Sequence, residues 1–263
     1  MAGMKANIFK NRTTIIAFLL IVSSCKQPIS KPDLSFVFLE RNSYNTSSVN
    51  GLTIYRLNDK GKLMDGYYVV GNELVKWEEF EVDNGLLNGD YIIFHPNGEI
   101  YSHSKYLNGK QNGEEKIYFL SGKLKSLKTY RHDVLVSEVL EYFESGQVRT
   151  KSKIENGEII ESVTYDLIGT IINQMFIKDG YTIHQKIEKG RVFSEQLSSN
   201  YDNFEAMKFY NEDGSLKLFL RMLIDGDKNY LIELDENNKE IKRIDVKANP
   251  EKAMEYSAYF NSL

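Results

Sequence analysis

Between residues 52 and 246 the chain is written in short runs that mix apolar and polar positions, each closed by Gly, Asn or Asp. Runs of this length between turn-forming residues predict short strands joined by tight turns. The pattern repeats. Taking one turn residue per unit, at Asn72, Gly98, Gly122, Gly146, Gly169, Gly190, Gly214 and Asn238, the intervals are 26, 24, 24, 23, 21, 24 and 24 residues. Four residues before it stands an aromatic in six units (Tyr68, Phe94, Tyr118, Tyr142, Tyr165 and Tyr210). Two residues after it come Leu74, Ile100, Leu124, Val148, Ile171, Val192 and Leu216, and eight after it Phe80, Tyr106, Tyr130, Ile154, Ile177 and Met222. A second turn column runs through Gly61, Gly85, Gly109, Asp133, Gly157 and Gly180. A fixed period of this size is the mark of a repeat architecture.

Each column has a physical reason. Gly, Asn and Asp supply the positive φ that tight turns between antiparallel strands require. Positions +2 and +8 differ by an even number, so on an uninterrupted strand they share a face. A lone hairpin cannot bury its apolar side in water, whereas stacked hairpins share one core. The aromatic column is therefore expected to be a packing ladder, not a ligand cage. At about 4.8 Å per strand, a two-stranded unit advances roughly 9.5 Å, so an elongated, curved array with one continuous core is expected. Ser198, Ser199 and Asn200 mark a loop or seam beside the most degenerate unit, around Gly190.

The pattern Asn-Gly-x-x-Asn-Gly-(x)4-[Tyr/Phe]-x-x-[Asn/Ser]-Gly-x-[Leu/Ile], clearest over residues 84–100 and 108–124, resembles the variant MORN repeat of bacterial antitoxin-like proteins. The resemblance extends roughly over residues 55–245 and is strongest over 84–172. The usual His-Gly of the first turn is replaced by Asn88-Gly89 and Asn112-Gly113, and the usual following tryptophan is missing. The resemblance implies a β-hairpin array with a binding role. The antitoxin label belongs to the repeat type and does not transfer by fold alone.

The first 24 residues read as a lipoprotein signal peptide. Lys5, Lys10 and Arg12 form a basic start without an acid, and residues 13–22 are apolar but too short to span a bilayer. Val22-Ser23-Ser24-Cys25 resembles a lipobox, and Cys25 is the chain's single cysteine, which makes it the expected lipidation site. Several acyl chains on one cysteine anchor stably. No internal disulfide can form. Without the signal peptide the 33 basic residues fall to 30 against 37 acids, a net of −7; no basic stripe or nucleic-acid motif is present, so no nucleic-acid partner is expected.

Residues 25–50 are expected to be a tether held extended by Pro28 and Pro32, with a leading strand over residues 34–39 and a Ser/Thr-rich loop over 41–50. The repeat domain occupies 51–246. Residues 247–263 form a C-terminal cap: Asn249-Pro250-Glu251 starts a helix over 250–261 that covers the open end of the array.

Candidate chemistry is sparse. His95, His103, His132 and His184 show no metal-ligand spacing, no nucleophile elbow or phosphate-binding glycine loop is present, and the adjacent pairs Glu78-Glu79 and Glu114-Glu115 point to opposite faces of a strand, as expected of solvated strand edges. Trp77, the lone tryptophan, is expected to pack near the end of the sheet. The sequence thus predicts an all-β array of stacked antiparallel hairpins with a short capping helix, with no catalytic residue, cofactor or metal. Two functions remain: a lipid-anchored envelope protein that binds a protein partner, in its sharpest form an immunity protein meeting a toxin outside the cytoplasm, or an envelope scaffold or surface lipoprotein without a toxin partner. Lys26 carries no acidic retention signal, which favours the outer membrane over the inner.

Overall fold

The computed structural model describes residues 36–59 and 61–260; the signal peptide and Cys25 lie outside the described residues. The chain begins with β1 (Phe36–Leu39), a 3-10 turn (Arg41–Ser43), β2 (Tyr44–Val49) and β3 (Leu52–Leu57). There follow β4 (Gly66–Gly71), β5 (Lys76–Asp83), β6 (Leu86–Phe94), β7 (Ile100–Leu107), β8 (Lys110–Tyr118), β9 (Leu124–Arg131), the two-residue β10 (Val134–Leu135) and β11 (Val139–Tyr142). The rest are β12 (Val148–Glu155), β13 (Glu158–Tyr165), β14 (Ile171–Lys178), β15 (Tyr181–Glu188), β16 (Arg191–Ser199), β17 (Glu205–Tyr210), β18 (Leu216–Asp225), β19 (Lys228–Leu234) and β20 (Glu240–Asp245), ending in α1 (Pro250–Met254) and α2 (Ser257–Phe260). Among the described residues, 18 strands form one sheet and β2–β3 a separate hairpin. From β4 to β9 and from β11 to β20 each strand pairs antiparallel with the next, β9 pairs with both β10 and β11, and β1 joins β4 in parallel.

The two turn columns are chemically different. In Asn84-Gly85, Asn108-Gly109, Asn156-Gly157 and Asp179-Gly180 both central residues have positive φ, from 47° to 85°, the two-residue turn whose twist matches that of the flanking strands. The other turn is longer. The His95 N–H donates to Glu99 O at 2.8 Å and the Gly98 N–H to His95 O at 2.9 Å, and the register shifts by one residue between Ile93 and Phe94. The same shift recurs beside Tyr118, Tyr142, Tyr165 and Tyr210. Gly190 departs from its column: Lys189-Gly190 is a tight turn of the first kind, with φ 52° and 76°, between β15 and β16.

That bulge corrects the face assignment. Ile100 lies opposite Phe94 but Ser102 lies opposite Ile93, so Ile100 and Ser102 point to opposite sides although they are two residues apart. In this unit position +2 (Ile100) therefore shares a face with Phe94, and +8 (Tyr106, opposite Gly89) lies on the other; the first unit differs, since its shift falls at Gly71 and Tyr68 lies directly opposite Phe80. The inserted residue cancels the two-residue period. Asn88-Gly89 and Asn112-Gly113 are corrected too: they lie inside β6 and β8, with Gly89 at φ 125° and Gly113 at 128°, where a side chain would collide with Glu81 or Lys105.

Three further expectations change. Residues 41–50 hold β2 instead of a loop; its Tyr44 stacks on Tyr55 at 5.9 Å, and hairpin formation follows from positive φ at Asn50 and Gly51. Ser198 and Ser199 end β16, so the loop begins only at Asn200. The C-terminal helix is broken into α1 and α2, Asn249 makes no side-chain cap bond, and the helices lie on a sheet face. The leading strand is present as β1.

Two of the cores sit under these covering elements. Tyr68, Val70, Phe80, Val82 and Leu87 are buried with Tyr55 of β3 and Met64, and Tyr44 of β2 packs against them. Three backbone bonds hold the hairpin there: Tyr55 N–H to Gly85 O (2.8 Å), Gly85 N–H to Met64 O (2.7 Å) and Met64 N–H to Tyr55 O (3.1 Å). At the other end Phe209, Leu218, Leu220, Leu231 and Ile244 are buried beneath Ala253, Tyr256, Tyr259 and Phe260.

Candidate functional site

Register places both of these cores on the same side of the sheet: opposed residues share a face, and the pairings run from Phe80–Tyr91 through Tyr91–Ser104 and onward to Ser194–Phe209 and Leu231–Ile244. We call it the capped face. Its composition changes along the ladder. Between the hairpin and the helices it carries Ser102, Ser126, Thr150, Asn173 and Ser194, all four residues after the repeat anchor, together with Ser104, Ser152, Ser162, Thr164 and Gln196. Ser104, Ser126, Ser152 and Ser194 are themselves buried, and the Ser152 and Ser162 hydroxyls meet at 3.0 Å.

Two grooves open on this middle stretch. One, of about 330 Å³, is lined by Ser126, Lys128, Glu141, Tyr101 and Phe119; the other, of about 380 Å³, by Ser162, Thr164, Asn173, Met175, His184, Ser194 and Gln196. Charges here are neutralised in place: Lys128 faces Glu115 at 3.3 Å and Arg149 meets Glu141 at 2.7 Å. Lys186, in the second groove, meets Glu188 at 3.6 Å. Beside these pairs lies a run of uncharged donors and acceptors able to bond a polar surface. The opposite face differs. It carries the Asp90–His103 hydrogen bond (2.8 Å) and the ion pairs Glu114–Lys116 (2.7 Å) and Glu138–Lys151 (3.0 Å), exposed contacts that contribute little stability. Towards its far end it carries a third apolar cluster, formed by Leu197, Ala206, Phe219 and Ile232.

The residues singled out from sequence are dispersed. His95 sits edge-on to Tyr101 at 5.1 Å, His103 pairs with Asp90, His132 occupies a turn at φ 51°, and His184 alone lines a groove of the capped face. Among the described residues no group of three or more His, Cys, Asp and Glu side chains is placed to hold a metal ion. Trp77 packs beside the first core under the Arg41 guanidinium, at 5.1 Å. Glu78 corrects the solvated-edge reading: it is buried, and accepts hydrogen bonds from Tyr44 (2.7 Å) and Tyr91 (2.6 Å), while Glu79 on the other face pairs with Lys76 at 2.9 Å. The polar column at +4 was present in the sequence, but serines at a fixed spacing carry no sign of which face they line.

The Glu78 cluster has a pH signature. Burial, and then the neighbouring Glu78, raise the Tyr55 phenol to about 12, and burial with the bond to Glu78 raises Tyr44 and Tyr91 further. A phenol raised in the folded state contributes stability that is fully present below its unfolded value near 10 and is lost as pH rises through the folded value. The urea midpoint should therefore stay level to about pH 10 and fall above it, less steeply in Tyr44→Phe. A midpoint equally level to pH 12 would sink this account.

Residues 87–108 and 111–132 match the model of the MORN repeat variant. No curated protein matches the chain. The two matched MORN units span β6 to β9 and supply the start of the polar stretch on the capped face. MORN repeats are generally protein- or membrane-interaction modules, which supports a repeat-based binding role.

Proposed function

We propose that this chain is a lipid-anchored, non-catalytic protein of the bacterial cell envelope that binds a protein partner along the polar middle of its capped face. One observation carries the reading: the face that the chain covers with its own hairpin and helices at the two ends changes between them to grooved polar surface, rich in Ser and Thr, whose charged side chains are paired. The signal-like residues 1–24, with Cys25 as acyl acceptor, support export and anchoring, at the outer membrane in a two-membrane cell. The resemblance to antitoxin-like repeats supports the sharpest form, an immunity protein that intercepts a toxin outside the cytoplasm.

The test pairs two variants. Cys25→Ser should move the protein from the membrane to the soluble fraction, with loss of the acyl mass. Asn173→Arg with Gln196→Arg, both exposed in the second groove, should leave the anchored protein folded but lose a partner retained stoichiometrically from native cells. A secreted toxin retained by the parent and lost by the double variant supports immunity. Retention of envelope components alone shifts the weight to a scaffold, and retention unchanged by the arginines removes the capped face from the reading.

A further inference from the structure

The first strand of the ladder, outside the matched MORN units, exposes apolar side chains on both of its sides. Phe36, Val37 and Phe38 are 60, 48 and 50% exposed, in a four-residue strand paired along one edge with β4. An exposed apolar edge strand is a hazard that soluble proteins usually blunt with charge, proline or a covering element. Leu74, 91% exposed in the β4–β5 turn, lies near the end of β1, because Leu39 is aligned with Val70. Beside it come two cations, Arg41 stacked on Trp77 and Lys76 over the Phe94 ring at 4.0 Å. Apolar side chains rimmed by a tryptophan and long basic residues suit the boundary between acyl chains and headgroups.

Chain length supplies the second argument. Ten residues lie between Cys25 and Phe36, so an acylated Cys25 lies at most about 40 Å from β1. A tether of that length makes the next contact intramolecular, and a weak contact is then enough. A second copy is the poorer occupant: four edge residues bury far less than the roughly 1,600 Å² of a standard stable interface.

We propose that the β1 edge, through Phe36, Val37, Phe38 and Leu74, rests in the headgroup region of the bilayer that holds Cys25, so that the ladder meets the membrane at its first strand. This rests on the lipid anchor proposed above. Acylation of Cys25 leaves Val37→Cys as the sole free thiol. The mature lipoprotein carrying an environment-sensitive fluorophore at that site is reconstituted into phosphatidylcholine vesicles with ordinary or brominated acyl chains. Leu74→Cys provides a second probe in a turn, and Ile168→Cys, 88% exposed in the β13–β14 turn, a control.

The probes at 37 and 74 should lose roughly half their emission in brominated vesicles, and the control should not. Phe36→Asp with Phe38→Asp should abolish the loss at 74 while the protein still floats with the vesicles. An acylated, floating protein without quenching at 37 or 74 overturns the edge contact and leaves the anchor intact. A protein without acyl mass overturns the anchor, and with it the tethered edge contact. Concentration-dependent cross-linking between β1 strands in place of quenching assigns the edge to a second copy and overturns the proposal.

Discussion

Replacing Phe80 with alanine should lower the unfolding free energy by about 3–5 kcal/mol. Phe80 is fully buried at the centre of four rings: Tyr44 at 5.7 Å, Tyr55 at 5.3 Å, Tyr68 at 6.0 Å and Tyr91 at 5.6 Å between centroids. Two of these rings belong to the covering hairpin and two to the sheet, so the cavity opens at the seam between them. Tyr44 and Tyr91 are also fixed by Glu78, which limits how far they can collapse into the space. The loss should appear as a lower urea midpoint, together with faster amide exchange at Tyr55 and Gly85, whose backbone bonds join the hairpin to the sheet. An unchanged midpoint would mean that the hairpin does not depend on this core.

Truncation after Lys247 should cost on the order of 4 kcal/mol. Tyr256 is 8% exposed, and with Ala253, Tyr259 and Phe260 it covers Phe209, Leu218, Leu220, Leu231 and Ile244. Burying one large apolar side chain contributes about 1.5–3 kcal/mol, and Tyr259 and Phe260 are only partly buried. Polar contacts add to this: the Tyr256 hydroxyl donates to Glu233 at 2.7 Å and accepts from Lys242 at 3.4 Å. The truncated chain should bind a hydrophobic dye and self-associate, and Tyr256→Phe should lose only the hydroxyl contribution. In a repeat ladder the damage should stay near the far end, leaving the Phe80 region protected from exchange. Equal loss of protection at both ends would contradict the separation of the two cores.

These expectations depend on structure of different legibility. The period, the two turn columns and the strands between them could be read directly, because a tight turn demands positive φ and few residues supply it: Asn84-Gly85 and Asn108-Gly109 sit where the spacing placed them. Pro250 likewise opens α1. The hairpin β2–β3 was not legible, because Ser and Thr at 46–48 suit a loop as well as a strand, and only the packing of Tyr44 on Tyr55 and Phe80 decides. Glu78 looked like half of a solvated acid pair until Tyr44, 34 residues away, was brought against it. The candidate site was half visible: Ser102, Ser126 and Thr150 recur at fixed spacing, yet nothing local says that they share a face with Phe80 and Phe209.

By itself, then, the sequence determined the repeat, its turns and an all-β ladder, since these follow from backbone conformations that neighbouring residues set. Tertiary structure alone decided the faces. In the unit of Phe94 one bulge residue turns +2 and +8 to opposite sides, and the covering elements come from outside the repeats, so which stretch stays open depends on contacts that no local spacing encodes.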